Sequence, residues 1–197
     1  MTGTATKMQP ENPVLNDEQL VRRCLAGDEK AWSELIDKYK NLIYSIPIKL
    51  GLYQDAADIF QAVCLDLLAE LPKLREPRAL PKWLMQTCYH KCLHLRKVGQ
   101  RQVQFSPGQG EELPSDSTDR TLPEELLVQL QREQALRDVL GELSPRCHRM
   151  VRMLFFEFPP RPYHEIAREL GLATGSIGFI RGRCLSRLKK QLQKMGF

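Results

Sequence analysis

The chain has no apolar run approaching the roughly 20 residues of a membrane span, and its start, MTGTATKMQPENP, has no signal-peptide core. A cytoplasmic chain without membrane insertion is therefore expected. No segment alternates apolar and polar residues at the strand period, so the fold class should be all-α. A glycine-rich phosphate loop, a carboxylate cluster for paired metals and a nucleophile–base arrangement are all missing. Their absence argues against an enzyme, and no cofactor is expected. Nor does any heptad stretch offer a dimer seam. Of the six cysteines (24, 64, 88, 92, 147 and 184), most fall on apolar helical positions, which suits buried, reduced thiols. Cys88, His90, Cys92 and His94 resemble a ligand cluster. On a helix, however, Cys88 pairs with Cys92 and His90 with His94, on different faces. Helix packing and phosphate contact are therefore preferred to a metal site.

What is present is segregated charge. The net charge is +5 over 197 residues. Residues 1–71 hold 7 basic and 11 acidic side chains, residues 72–105 hold 8 and 1, residues 106–143 hold 3 and 9, and residues 144–197 hold 11 and 3. Two basic blocks separated by an acidic one point to two polyanion-binding surfaces on one chain.

The second basic block contains the most informative stretch, YHEIARELGLATGSIGFIRGRCLSRL, from Tyr163 to Leu188. Ile166, Ala167 and Leu170 give a first helix one apolar face, and Gly171 can end it with a positive φ. Thr174 or Ser176 can cap a second helix, whose apolar face is Ile177, Ile180, Cys184 and Leu188. Its other faces carry Arg181, Arg183 and Arg187. A short helix, a glycine turn and a basic second helix form the helix-turn-helix pattern for reading a major groove. The competing reading is a helical hairpin with a solvated basic face.

Taken in order, residues 1–14 read as a disordered tail. Asn16 and Gln19 form a capping box, with Leu15 and Leu20 as a hydrophobic staple, and the helix stops at Gly27. Asp28 caps a long helix with the stripe Trp32, Leu35, Ile36, Tyr39, Leu42, Ile43 and Ile46; Pro47 should kink it and Gly51 end it. A third helix runs from Asp55 to Leu71. After the basic loop KLREPRAL, a fourth opens at Pro81 and runs to about Lys97, with Leu84, Cys88, Lys91, Cys92 and Leu95 inside. The next stretch is rich in Gly, Pro, Ser and acids, a flexible acidic linker over 99–121. Thr121 and Glu124 form a second capping box, opening a helix to about Leu143. Ser144 and Pro145 open another, with Met150, Val151, Leu154 and Phe155 inside. Two small helical domains are expected, 15–98 and 122–197.

LVRRCLAGDEKAWSELIDKYKNLIYSI, DAADIFQAVCLDLLAEL and PKWLMQTCYHKCLHLRK together resemble conserved region two of bacterial RNA polymerase sigma factors. LGELSPRCHRMVRMLFFEFPPRPYHEIARELGLATGSIGFIRGRCLSRLKK resembles region four, and the short layout is similar to the extracytoplasmic-function subgroup. The resemblance covers roughly residues 16–97 and 122–194. It implies a promoter-directing specificity subunit that partners core polymerase and promoter DNA. Asp58, Gln61, Ala62, Leu65 and Asp66 would dock on the clamp coiled coil of the largest subunit, and the flap of the second-largest subunit is a further partner. Residues 73–97 would melt and hold the minus-ten element, and about 174–187 would read the minus-thirty-five element. An anti-sigma factor, or a regulatory kinase acting on the linker, is left open.

The residue types fit these roles. Strand opening needs cations along a phosphate path and a platform for unstacked bases. Lys73, Arg75, Arg78, Lys82, Lys91, Arg96 and Lys97 supply the first; Gln86 and His90 can join them, and Trp83 is either platform or core. In the second block Thr174, Ser176, Gly178, Phe179, Arg181, Arg183 and Arg187 are the groove candidates, with Arg187 on a phosphate. Phe179 either touches a thymine methyl or packs, packing being preferred. The acidic linker reads either as a nucleic-acid mimic or as a solvated tether. One departure stands out: Ala57 and Ala62 replace carboxylates common in the family's docking helix, so weaker or assisted core binding is expected. The alternative function is a stand-alone helix-turn-helix regulator on duplex DNA, which leaves residues 55–97 without a role.

Overall fold

A computed structural model of the chain describes residues 16–103 and 121–197. The expected tail over 1–14, the staple residue Leu15 and linker residues 104–120 lie outside the described residues. Among the described residues every regular element is helical, with no strand, as the missing alternation requires. They divide into two units, 16–134 and 135–197.

In the first unit, α1 (Asp17–Leu25) opens with the expected capping box: the Asn16 side chain accepts from the Gln19 amide at 2.8 Å, and the Asn16 amide donates to Gln19 Oε1 at 3.3 Å. Gly27, at φ 84°, takes the backbone out of the helix. Asp28 then caps α2 (Glu29–Lys49), accepting from the Lys30 and Ala31 amides at 3.0 and 3.2 Å. Ala31, Leu35, Tyr39, Leu42, Ile43 and Ile46 are buried along one face of α2, which packs against α1, α3 (Ala56–Glu70) and α4 (Leu80–Val103). Truncating a side chain as enclosed as Leu35 costs about 2–5 kcal/mol. Helix α2 stays helical through buried Pro47 and turns out at Gly51.

Polar pins fix α1 on α2. Tyr39 donates to Asp17 Oδ1 at 2.6 Å and Lys38 to the same oxygen at 2.8 Å. Arg23 bridges Asp28 and Glu34, and its hydrogen bond to Asp28, followed by that from the Ala31 amide, holds the Asp28 carboxyl below its usual range. Burial pushes the Cys24 thiol up to about 11.

Two boundaries differ from expectation. Helix α4 continues past Lys97 to Val103, so polarity alone did not end it. Helix α5 (Glu124–Gly141) begins three residues after Thr121, which therefore does not occupy its cap position.

The second unit holds the end of α5, α6 (Pro145–Phe155), α7 (Tyr163–Leu170) and α8 (Ile177–Lys194). One core cluster is Met150, Met153, Ile166, Ala167 and Ile177; the other is Leu143, Cys147, Val151 and Cys184. Ile180 packs against both. The reduced-thiol expectation fails here: Cys147 and Cys184 form a disulfide, their Cα atoms 5.6 Å apart. Two apolar helical positions on facing helices met across the core, which no single-helix pattern shows. Phe155 is also corrected, since it lies 55% exposed rather than inside. It falls beside the Cys147–Met150–Val151–Leu154 stripe, in the last turn of α6. Ser144 does hold the cap position of α6, without a side-chain capping bond.

Candidate nucleic-acid interface

The helix-turn-helix forms as the glycine predicts. Gly171 sits at φ 62°, ψ 41°, and the Leu172 amide closes back on the Ala167 carbonyl at 2.8 Å. A 3-10 turn, Thr174–Ser176, leads into α8. Neither Thr174 nor Ser176 caps α8 through its side chain; the Ser176 hydroxyl instead donates back to the Ala173 carbonyl at 2.7 Å. Ile177 and Cys184 are fully buried and anchor the helix. Thr174, Gly178, Phe179, Arg181, Arg183 and Arg187 are exposed, and Ser176 is half-buried. Phe179 does not pack: 70% of its surface is open. The Arg183 guanidinium lies 5.8 Å from its ring centroid. Arg181 is drawn aside, its Nη1 donating to the Tyr163 hydroxyl at 2.6 Å.

The other basic block forms a second cationic surface. Lys73 and Arg78 are exposed on two short 3-10 turns, Arg75 in the bend between them and Lys82 in the first turn of α4. Lys73 pairs with Glu70 at 2.8 Å. Trp83 is half-buried and lines a small cleft with Leu67, Leu71, Leu74 and Leu80, so its inner face is core. Gln86 and His90 bond each other at 3.1 Å along the outer side of α4. Arg96 donates to the Leu50 carbonyl, and Lys97 is half-buried. Cys88 and Cys92 point inward, Cys88 donating to the Ile43 carbonyl at 3.4 Å, while His90 and His94 are exposed. The four do not converge. The Cys88 thiol is held up by its hydrogen bond with Cys92 and by burial.

Helix α3 presents a ridge of mixed character. Asp58, Gln61 and Leu65 are exposed, Ala62 is half-buried, and Ala57 is exposed beside them. Asp66 is not on that ridge as a free charge, because Lys91 of α4 holds it at 2.7 Å. The structure adds Leu68, 57% exposed next to Leu65 at 61%; the i, i+3 spacing already signalled the pairing. It also adds Phe155, Phe156 and Phe158, all exposed. Phe156 borders a surface cavity of about 360 Å³ lined also by Leu140, Val151, Arg137, His148 and Arg152.

No family model matches the chain. It is similar to the RNA polymerase sigma-H factor of Bacillus subtilis (strain 168), at 26% identity over 198 aligned residues, covering 91% of this chain and 88% of that protein. The RNA polymerase sigma-H factor of Bacillus licheniformis is 27% identical, with 91% and 86% covered. Both similarities therefore take in the two units and the acidic stretch between the basic blocks, not the helix-turn-helix alone.

Proposed function

We infer that this chain is a bacterial RNA polymerase sigma factor, a transcription initiation factor that binds core polymerase and directs it to promoters. The observation that carries this reading is the 91% of the chain covered by sigma-factor relatives. A stand-alone regulator would share only the helix-turn-helix.

The division of labour follows from chemistry. In this reading the first domain, expected over 15–98, docks and melts, and the second, expected over 122–197 and including the compact unit 135–197, reads duplex DNA. The α3 ridge, with Asp58, Gln61, Ala62, Leu65 and the added Leu68, takes the clamp coiled coil of the largest subunit. Two exposed leucines supply apolar area where Ala57 and Ala62 supply no charge. Lys73, Arg75, Arg78, Lys82, Trp83, Gln86, His90, Lys91, Arg96 and Lys97 hold the opened minus-ten strand, phosphates on the cations and bases beside the exposed face of Trp83. Helix α8 enters the major groove at the minus-thirty-five element. The cavity beside Phe156, lined by Leu140 and Val151 with the cations Arg137 and Arg152, receives the flap of the second-largest subunit. Two helical blocks joined by nothing more than the acidic stretch support the extracytoplasmic-function subgroup. The protein acts where the polymerase is, in the cytoplasm, by recognition rather than by catalysis.

The test is transcription by purified bacterial core polymerase, with and without the full chain, on genomic fragments that include its own upstream region. Discrete starts that require the chain are expected, and they should fade when Leu65→Asp removes the docking ridge. A chain that binds duplex fragments tightly without core and starts no transcript would overturn the reading in favour of a stand-alone regulator.

A further inference from the structure

Phe179 occupies the first turn of α8 on the side away from the unit's core. At about 100° per residue, the buried residues Ile177 and Cys184 and their neighbours Ile180 and Leu188 define one face, and position 179 falls nearly opposite. The ring is 70% exposed, and on a helix surface an aromatic residue has neither packing nor high propensity in its favour. Gly178 and Gly182 flank it, and a Cβ added at either would meet nothing within 4 Å, so the approach to the ring is open. Arg183 keeps its guanidinium 5.8 Å from the ring centroid, whereas Arg181 is turned away to Tyr163.

We propose that Phe179 is a specificity-determining residue that reads a thymine methyl group in the major groove, with Arg183 positioned beside it for the neighbouring nucleotide. A phenyl ring offers no hydrogen bond to a base edge. The feature it distinguishes in the major groove is therefore the hydrocarbon one, the C5-methyl of thymine, which cytosine, adenine and guanine lack. The guanidinium, within cation–π range of the ring, supplies a cation that keeps the ring against the DNA while making its own contact. This proposal rests on the reading of α8 as the groove-entering helix.

The experiment uses holoenzyme, core polymerase with the full chain, on a promoter obtained from the transcription assay. Each thymine of the minus-thirty-five region is replaced in turn by deoxyuridine, which removes only the methyl. One or two positions should weaken wild-type binding about three- to fivefold, the scale of one buried methyl. The same replacements should have no effect on Phe179→Ala, which itself loses at least as much on the unmodified promoter. Unchanged thermal unfolding of Phe179→Ala checks its fold, as an exposed site should allow. If no deoxyuridine position matters, or if the sensitivity survives in Phe179→Ala, the proposal is wrong. Arg183→Ala separates the two levels of failure. If it weakens promoter binding while deoxyuridine does not, only the role of Phe179 falls; if neither matters, α8 does not enter the groove.

Discussion

Reducing the Cys147–Cys184 disulfide should bring the second unit close to unfolding. The bond closes a loop with a sequence separation of 37 and ties α6 to α8. Chain-entropy bookkeeping for a loop of that length gives about 4 kcal/mol of stabilisation, exerted on the unfolded chain. A core of this size supplies only about 3–5 kcal/mol net, so the crosslink is comparable with all the other packing together. For a unit of some 60 residues, each kcal/mol moves Tm by about 4–8 °C, so reductant should lower the transition of this unit by roughly 15–30 °C. The assay is thermal unfolding of the full chain by circular dichroism, with and without dithiothreitol. A Cys147→Ala/Cys184→Ala variant serves as control: it should melt near the reduced wild type and ignore reductant. Serine is avoided because Cys184 is fully buried, and an unpaired hydroxyl there would add its own cost of about 1–3 kcal/mol. If reductant leaves the wild-type melt unchanged while free-thiol titration shows the bond broken, the loop-entropy reasoning is refuted.

Leu65→Asp or Leu68→Asp should weaken core polymerase binding about tenfold or more in a direct affinity measurement, since each puts a charge into the centre of the proposed docking ridge. Conversely, Ala57→Glu with Ala62→Glu should tighten core binding by about 1 kcal/mol in total if the clamp surface is cationic; unchanged affinity would remove the charge argument. Arg187→Ala should lower promoter affinity uniformly across sequences and reduce the slope of log K against log salt by about 1, as one lost phosphate contact requires. Asp28 binds its proton less readily folded than unfolded, so its stabilising contribution is present above the unfolded pKa of about 3.9 and disappears as pH falls through the lower folded value. The Tm gap between wild type and Asp28→Asn should therefore be largest above about pH 5 and shrink below about pH 4; a gap that widened on acidification would reverse the sign.

What was legible in the sequence was local. The Asn16 capping box, the Asp28 cap, the Gly171 turn and the stripe of α2 each follow from residues within about one turn of one another, where geometry is fixed by the helix itself. Contacts between helices were not legible. Nothing in the spacing of Cys147 and Cys184 announces their bond, nor that of Tyr163 and Arg181 their hydrogen bond, because those distances are set only when the helices pack. The same holds for Asp66, named as a docking residue by resemblance, whose ion pair with Lys91 on the next helix no local spacing shows. Phe179 is a different case. The stripe Ile177–Ile180–Cys184–Leu188 already puts position 179 on the far side, and aromatic character argued for burial against that geometry; geometry prevailed. The end of α4 was misplaced because composition turns polar at Val98, and polarity carries little information about where an exposed helix stops.

Asp66 and Lys91 are each other's counterions, yet Asp66 lies on the helix proposed for polymerase and Lys91 on the one proposed for DNA. A polymerase cation that competes for Asp66 leaves Lys91 in need of a new anion, and a phosphate is one. A phosphate that takes Lys91 first leaves Asp66 more available to the polymerase. Each binding event thus lowers the cost of the other, and thermodynamic reciprocity makes the two effects equal. With both side chains about one-third exposed, the pair is worth at most about 1 kcal/mol, a coupling of no more than roughly fivefold. One ion pair would thus make the free chain a slightly poorer DNA binder than the same chain seated on its polymerase.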